Sequence, residues 1–254
     1  MRRVDNPANR FQREAIEWLD EALPYAGLEV YEERAKSIVS ENDSPDLPFR
    51  YSVNPYRGCY HGCAYCYARP SHQYWGFGAG TDFERKLVVK VNAPQLLAER
   101  FDRNDWCGER VIFSGNTDCY QPLEAAHRLT RGCLEVCAQY RNPVSVITKG
   151  ALVRRDLDVL QTLAQVASVS VSISIPFASD EHARAIEPGA SAPSKRFEAL
   201  AALSAAGIDT GIAIAPVIPG LTDRALPELL SRARAAGAKH AFIIPLRLPA
   251  EVAP

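Results

Sequence analysis

VSVSISI, at residues 169–175, alternates serine with valine or isoleucine along its whole length. Because successive side chains of a β-strand point to opposite faces, one face of this strand carries only hydroxyl groups and the other only branched aliphatic groups. We expect helices to cover the aliphatic face and the serine face to line the inside of a barrel. Packed barrel interiors favour bulky branched residues, so a small hydroxylated face indicates space for a ligand. An edge strand with a solvated serine face is the alternative.

Similar apolar runs recur on both sides of this strand, and segments with helical periodicity separate most of them. Alternating strands and helices specify parallel strands joined by right-handed crossovers. Six strands are too few for a closed eight-stranded barrel, so the sequence predicts an α/β fold, an open (β/α)6 partial TIM-type barrel with its site at the carboxyl ends of the strands. The predicted strands are Tyr51–Val53, Val111–Ser114, Val144–Thr148, Val169–Ile175, Thr210–Ala215 and His240–Leu246.

Two regions of the chain are distinguished by these patterns. Residues 1–48 are predicted to be an N-terminal arm with one helical stretch over Phe11–Leu23, and residues 49–254 are predicted to be the barrel domain. The chain stops directly after the sixth strand without a closing helix, so we expect its C-terminal region to be truncated. Asn92 is expected to cap a helix, with Gln95 completing a reciprocal capping box. The other predicted helices are Pro122–Tyr140, Asp156–Ala167, Ser194–Ala206 and Arg224–Ala236.

Composition narrows the class of protein. The 254 residues are 47% hydrophobic and carry a net charge of −1, so a full core is possible and the overall charge does not indicate a nucleic-acid binder. No segment approaches the roughly 18 apolar residues that span a bilayer, and the N-terminus lacks the apolar region of a secretory signal. These features predict a cytoplasmic protein that does not enter the membrane. Seven cysteines, three of them within eight positions, indicate metal binding rather than disulfides in that reducing compartment.

The three clustered cysteines are Cys59, Cys63 and Cys66, with the spacing C-x3-C-x2-C. Three thiolates can bind three corners of a four-iron cluster, whose usual protein ligands are four cysteines. The fourth iron then keeps an open position, which a catalytic metal centre requires. Structural zinc needs four ligands, so a zinc site, which stays open as an alternative, has to recruit His61 or His72.

This motif, with Tyr65 before its last cysteine, resembles the radical S-adenosylmethionine (radical SAM) enzymes. The resemblance implies a radical SAM-type barrel and a 4Fe–4S cluster that reductively cleaves S-adenosylmethionine, giving a 5′-deoxyadenosyl radical that abstracts hydrogen from a substrate. It implies an external electron donor of the flavodoxin or ferredoxin type, and leaves nucleic acid, a peptide or a small molecule open as substrate. The likeness is greatest to the spore photoproduct lyase-related, DNA repair photolyase-like branch, through Asn54–Cys59, Tyr67–Pro70, Thr117–Glu124, Thr148-Lys149, Glu187–Gly189 and Arg196.

Carried over by position, the resemblance implies a cofactor pocket at the carboxyl ends of the strands. Tyr65 offers its backbone to the adenine, Lys149 reaches the methionyl carboxylate, and Ser172 contacts the ribose or the carboxylate. The residues at the methionine end and the remaining pocket residues are Ser114, Gly115, Asn116, Thr117, Ser174 and Arg196. The alternative for Lys149 is a solvated loop lysine, and the alternative for 116–118 is a polar turn capped by Asp118. Arg196 is also expected to form an ion pair with Glu187.

One position departs from the branch. Spore photoproduct lyase has a cysteine just after its second strand that returns hydrogen to the product radical, and Gly115 stands at that position here. Cys119, four residues further on, is the candidate catalytic replacement, with a buried small residue as the alternative. The repair reaction as such is therefore not expected. Cys133 and Cys137 share one helix face, and packing favours the core over metal binding for both.

Another class of function stays open beside the enzyme. A non-enzymatic iron–sulfur or zinc module, such as an electron-transfer protein, would hold metal without cleaving the cofactor, although an electron carrier needs no serine-lined cavity. Within the enzyme class, if the substrate is a nucleic acid, we expect basic side chains to form a rim near the cysteines. The candidate rim residues are Arg50, Arg57, Arg69, Arg85, Lys86 and Lys90.

Overall fold

The computed structural model describes residues 27–44, 49–249 and 252, so the predicted helix over Phe11–Leu23 lies outside the described residues. Within these residues the strands are β1 Glu29–Glu33, β2 Val39–Glu41, β3 Tyr51–Val53, β4 Tyr56–Arg57, β5 Lys86–Lys90, β6 Val111–Phe113, β7 Val144–Thr148, β8 Val169–Ser174, β9 Asp209–Val217 and β10 His240–Pro245. Seven of them form one sheet in the order β10-β9-β8-β7-β6-β3-β2. A smaller sheet has the order β1-β5-β4.

The six predicted strands are all present in the larger sheet. Strands β3, β6, β7, β8, β9 and β10 pair in parallel, each with its neighbour. The bounds of β3 and β7 are those predicted, and the other strands differ by one or two residues at one or both ends. The predicted α/β partial barrel is confirmed, and the carboxyl ends of its strands lie along one edge.

Helices supply the apolar side chains that cover the sheet. Val171 and Ile173 of β8 are fully buried in the same core as Leu163 and Leu200, and each buried side chain of this kind stabilises the fold by roughly 1.5–3 kcal/mol.

Among the described helices, none is both long and apolar enough to cross a membrane. The helices are α1 Asp82–Arg85, α2 Ala93–Phe101, α3 Glu124–His127, α4 Leu129–Gln139, α5 Leu157–Val166, α6 Asp180–Ile186, α7 Pro193–Ala205 and α8 Leu226–Ala235, with 3-10 helices at Arg69–Trp75, Ala151–Asp156 and Asp223–Ala225.

Part of the predicted arm contributes strands to both sheets. β2 pairs antiparallel with β3 at the end of the larger sheet. β1 pairs in parallel with β5, a strand that the sequence prediction had missed. These short strands acquire their partners only through tertiary pairing, so local periodicity gives little sign of them.

Asn92 occupies the N-cap position of a helix, as predicted, but the predicted reciprocal capping box is wrong. Helix α2 begins at Ala93, but the Asn92 side chain accepts from the backbone N–H of Ala35 at 2.9 Å and donates to its carbonyl at 3.0 Å. Gln95 donates instead to Glu99. Asparagine can pair with either local or distant backbone, and here it secures the segment between β1 and β2.

The predicted helix over Pro122–Tyr140 is two helices, α3 and α4, separated by Arg128 with a φ of 53°. The carboxylate of buried Glu124 accepts from the backbone N–H groups of Thr130 and Arg131 at 2.9 and 3.2 Å. An acidic group is favourable at a helix N-terminus, so Glu124 stabilises the start of α4.

Candidate active site

The three motif cysteines lie on one loop, residues 59–66, which follows β4 and precedes the 3-10 helix Arg69–Trp75. We call it the cysteine loop. Cys59 and Cys63 are buried, Cys66 is half-buried, and all three are free thiols. Gly58 and Gly62 have φ angles of 71° and 62°, a region that glycine adopts without steric penalty. The glycines thus allow the tight turns of the loop that carries the three cysteines.

The chemistry of the three thiols fits an iron–sulfur cluster. Burial raises the pKa of the Cys59 thiol to about 12 and also raises those of Cys63 and Cys66. Metal ions displace such protons and compensate the thiolate charge. Within the part of the chain that the structure describes, no three side chains of ligand type group closely enough to hold one metal ion. In a cubane each thiolate binds a different iron, so this spacing suits a cluster better than a single zinc.

Two side chains hold the cysteine loop from within the structure. Gln121 is fully buried, donates to the Gly58 carbonyl at 3.1 Å and accepts from the Tyr60 N–H at 2.9 Å. Arg69 donates to the Cys63 carbonyl at 3.1 Å and pairs with Glu84 at 2.6 Å. These contacts satisfy backbone groups that the loop cannot satisfy by itself.

The turn after β6 contains the residues expected at the methionine end. Ser114 has a φ of 72°, and its Oγ accepts from the backbone N–H of Cys119 at 2.8 Å. Asn54 Oδ1 accepts from the N–H groups of Asn116 and Thr117 at 3.3 and 3.4 Å. A non-glycine residue held at positive φ marks local strain of the kind that concentrates at functional sites.

Asp118 connects this turn to β7 and to the cysteine loop. Its carboxylate accepts from Thr148 Oγ1 at 2.6 Å and from the backbone N–H of Lys149 at 2.7 Å. The Nδ1 atom of His61 lies 3.5 Å from the same carboxylate, and burial lowers the pKa of that histidine. The sequence showed only a carboxylate in a polar turn, so this connecting role was missed.

Lys149 lies where the end of β7 meets the cysteine loop. Its Nζ donates to Ser174 Oγ at 2.9 Å and lies 3.9 Å from Glu187 Oε1. It also lies 5.7 Å from the centre of the Tyr65 ring. The Tyr65 hydroxyl donates to Glu187, and burial raises the pKa of that phenol, which therefore keeps its proton. The Lys149 ammonium group is therefore the donor at this place that can bind an anionic ligand group, since the Tyr65 hydroxyl is already bound to Glu187.

The predicted ion pair between Arg196 and Glu187 is present, but both side chains are completely buried rather than at the surface. The two groups are 2.5 Å apart, and Arg196 also donates to the carbonyls of Ser191 and Ser174 at 2.6 and 2.9 Å. The guanidinium is therefore engaged within the protein. Arg196 thus fixes Glu187 within the protein, and its contact with the cofactor stays a prediction.

Two other predicted residues stand apart from this group. Ser172 Oγ lies 3.4 Å from Nε2 of His240, on β10.

Cys119 is completely buried in the hydrophobic core, which favours the alternative of a buried small residue over a hydrogen donor that must reach a substrate. Gly115 stands where the spore photoproduct lyase-related branch was expected to have a cysteine. Its carbonyl accepts from the hydroxyl of exposed Tyr67 at 2.9 Å. Cys133 and Cys137 are buried in the core, as predicted.

The candidate basic rim is largely engaged in internal contacts. Lys90 is 7% exposed and donates to the Asn54 carbonyl at 2.8 Å. Paired cations attract phosphates less than free ones do, so the structure gives little support for a continuous phosphate track. The ion pairs are Arg50–Glu41, Arg57–Glu33, Arg69–Glu84 and Lys86–Asp82.

The cysteine loop and the barrel fall within one known family, because the model of the Radical SAM superfamily matches residues 53–233. The chain belongs to the radical SAM superfamily. An uncharacterized protein of Mycobacterium tuberculosis is 40% identical over 230 residues, which cover 89% of this chain and 68% of that protein. The Radical SAM Nalpha-GlyT isomerase of Pseudomonas phage M6 is 24% identical over 194 residues, 75% of this chain and 38% of that protein.

A solved structure gives the same fold. A mutant of spore photoproduct lyase with bound AdoMet and dinucleoside spore photoproduct superposes with a TM-score of 0.66 at 20% identity. The match covers 89% of this chain and 64% of the lyase chain, so this radical SAM protein spans less than two thirds of the lyase. Membership of the superfamily makes the chain an enzyme of S-adenosylmethionine-dependent radical chemistry, and the non-enzymatic alternative is not supported.

Proposed function

We propose that Cys59, Cys63 and Cys66 hold a 4Fe–4S cluster whose fourth iron binds S-adenosylmethionine. When bound, the cluster supplies the electron that cleaves the cofactor to methionine and a 5′-deoxyadenosyl radical, which abstracts hydrogen from the substrate. The observation that carries the proposal is the meeting of the cysteine loop with Lys149 and Glu187, through Tyr65.

The chain's own residues bind and orient the cofactor. Lys149 binds the methionyl carboxylate, because its ammonium group is held at the strand ends by Ser174 and charge-assisted hydrogen bonds to carboxylates are strong. The strained turn from Ser114 to Thr117 faces the methionine end, and the Tyr65 backbone faces the adenine. Cys59 and Cys63 are buried, which limits the access of water to a cluster bound there.

We infer that the substrate is a nucleic-acid base. Spore photoproduct lyase, whose fold this chain shares, was solved with a dinucleoside photoproduct. Exposed aromatic side chains lie in the segment after the cysteine loop, with Tyr67 62% and Tyr74 69% exposed, and aromatic rings stack bases without needing a particular sequence. Because the basic rim is engaged, stacking contributes more than phosphate contacts, and binding depends weakly on salt. Gly115 provides no thiol, so the product radical is quenched differently from the lyase reaction.

The test is anaerobic reconstitution of the full chain with iron and sulfide, followed by reduction with dithionite in the presence of S-adenosylmethionine. Formation of 5′-deoxyadenosine supports the proposal, and its absence at full cluster occupancy rejects it. Deuterated single-stranded DNA then tests the substrate class, since hydrogen abstraction transfers deuterium into 5′-deoxyadenosine. Peptides and nucleosides assayed in parallel identify another class if DNA transfers none.

We also propose that the electron donor is a flavodoxin or a ferredoxin and that the protein is cytoplasmic. The thiols of the cysteine loop must stay reduced to bind iron, which a reducing compartment provides. Reduced flavodoxin should replace dithionite in the assay above, and failure of both carrier types to do so rejects this donor class.

A further inference from the structure

The end of α6 and the residues after it, 186–189, pack directly on the cysteine loop. The Ile186 carbonyl accepts from the Ala64 N–H at 2.9 Å, and the Gly189 N–H donates to the His61 carbonyl at 2.9 Å. Between these two contacts, Glu187 accepts from the hydroxyl of Tyr65. All three contacts therefore fall on loop residues that lie between the cysteines.

The approach at Gly189 leaves no room for a side chain. A Cβ atom there would lie 2.2 Å from the carbonyl oxygen of Tyr60 and 3.1 Å from the Cα of His61. Both are backbone atoms of the cysteine loop, so neither can rotate away. Gly189 does not have a positive φ, so the contact itself, rather than a special backbone conformation, requires glycine.

The other side of the segment is attached to the barrel. Glu187 is paired with Arg196, which also donates to the Ser174 carbonyl at the end of β8. A buried pair whose groups are satisfied by further hydrogen bonds holds a defined geometry. A continuous connection therefore runs from β8 through Arg196 and Glu187 to the cysteine loop, and Lys149 approaches the same carboxylate at 3.9 Å.

We propose that segment 186–189 sets the distance between the cysteine loop and the Lys149–Ser174 pair, with Gly189 as its positioning residue. This inference rests on the proposed function, because it matters only if a cluster on the loop presents its open iron to that pair. Gln121 and Arg69 attach the loop to other elements, and the carboxylate of Asp118, which binds the Lys149 backbone, approaches the loop at His61, 3.5 Å away, whereas segment 186–189 makes three hydrogen bonds to the loop. A displacement of about 1 Å at a reacting centre can lower a rate by about 100-fold.

The experiment compares Gly189→Ala with Gly27→Ala in the full chain. The control adds the same methyl group at a position where none of the residues that the structure describes lies within 4 Å of the new Cβ. The first readout needs no metal: the rate at which iodoacetamide alkylates the three loop cysteines, followed by mass spectrometry, with exposed Cys107 as internal reference. We expect several-fold faster alkylation of the loop cysteines in Gly189→Ala alone, because a displaced loop exposes its thiols.

The second readout uses the reconstituted proteins. We expect Gly189→Ala to retain the parental iron content but to show a smaller change in the EPR spectrum on adding S-adenosylmethionine, with a Kd raised about tenfold. Parental alkylation rates and parental affinity in Gly189→Ala overturn the inference. If the parent and Gly27→Ala bind no cluster, the proposed function fails. The alkylation rates then still test whether the contact at Gly189 holds the cysteine loop in place. Should Gly189→Ala not fold, Glu187→Gln is tested by the same readouts, and parental values in that variant also overturn the inference.

Discussion

Lys149 Nζ donates a hydrogen bond of 2.9 Å to Ser174 Oγ, so side chains join the ends of β7 and β8 beside the cysteine loop. Ser174 belongs to the serine face that the 169–175 alternation predicted, and it is the last residue of its strand. Polar groups thus gather at the carboxyl ends of parallel strands, which is where sites form in this class of fold.

Removal of the lysine tests this arrangement. Lys149→Met should raise the Kd for S-adenosylmethionine about 10- to 150-fold, since a hydrogen bond to a charged group contributes about 1.5–3 kcal/mol. Equilibrium dialysis on the reconstituted protein measures the change. Lys195→Met, on the exposed surface of α7, is the matched control and should bind as the parent does. An unchanged Kd in Lys149→Met contradicts a role of this lysine in binding the cofactor.

The cysteine loop predicts a sharp difference between two cysteine substitutions. Cys66→Ser removes a thiolate from the proposed cluster and should abolish both the reconstituted iron–sulfur absorbance and the formation of 5′-deoxyadenosine. Cys107→Ser changes an exposed cysteine far along the chain and should leave both unchanged. Iron analysis together with visible spectroscopy makes the comparison. A Cys66→Ser variant with the parental iron content and activity contradicts the three-cysteine site.

The parallel strands could be predicted because each carries its own signal. A buried strand flanked by helices is a short apolar run, and the alternation in 169–175 identified which face turns inward. Strands β1, β2 and β5 gave no comparable signal, because they depend on partners distant in sequence. The capping box at Asn92 failed for the same reason, since the Asn92 side-chain amide binds the distant backbone of Ala35.

The site could be predicted only at residues whose chemistry is visible by type and spacing. Three cysteines in one motif predict a metal centre, and the resemblance to a known family predicted Lys149 beside it. The roles of Gln121, Asp118 and Gly189 were not visible, because each acts through backbone groups of another segment. Contacts to backbone leave no signature in the identity of the partner residue, so a single sequence cannot reveal them.

The buried ion pair predicts a large loss of stability from one substitution. Arg196→Met removes the closest charged partner of buried Glu187 and leaves it the Tyr65 hydroxyl and, at 3.9 Å, Lys149, which should lower the free energy of unfolding by about 3–5 kcal/mol. The exposed pair of Lys195 and Glu198 is the control, and Lys195→Met should change stability by less than about 1 kcal/mol. Denaturant unfolding of the metal-free chain measures both. The double variant Glu187→Gln with Arg196→Met should recover part of the loss, and no recovery contradicts an electrostatic origin.

Buried Lys90 predicts a dependence of stability on pH. Burial lowers its pKa from 10.5 to about 8. Between these values the unfolded chain binds the proton and the folded chain releases it, so the free energy of unfolding rises with pH across this window, by up to about 3 kcal/mol. Lys90→Met should remove this rise, whereas Lys195→Met should retain it. Denaturant unfolding from pH 7 to 10 gives the difference between parent and variant, and a difference that stays constant with pH shows that Lys90 titrates alike in both states.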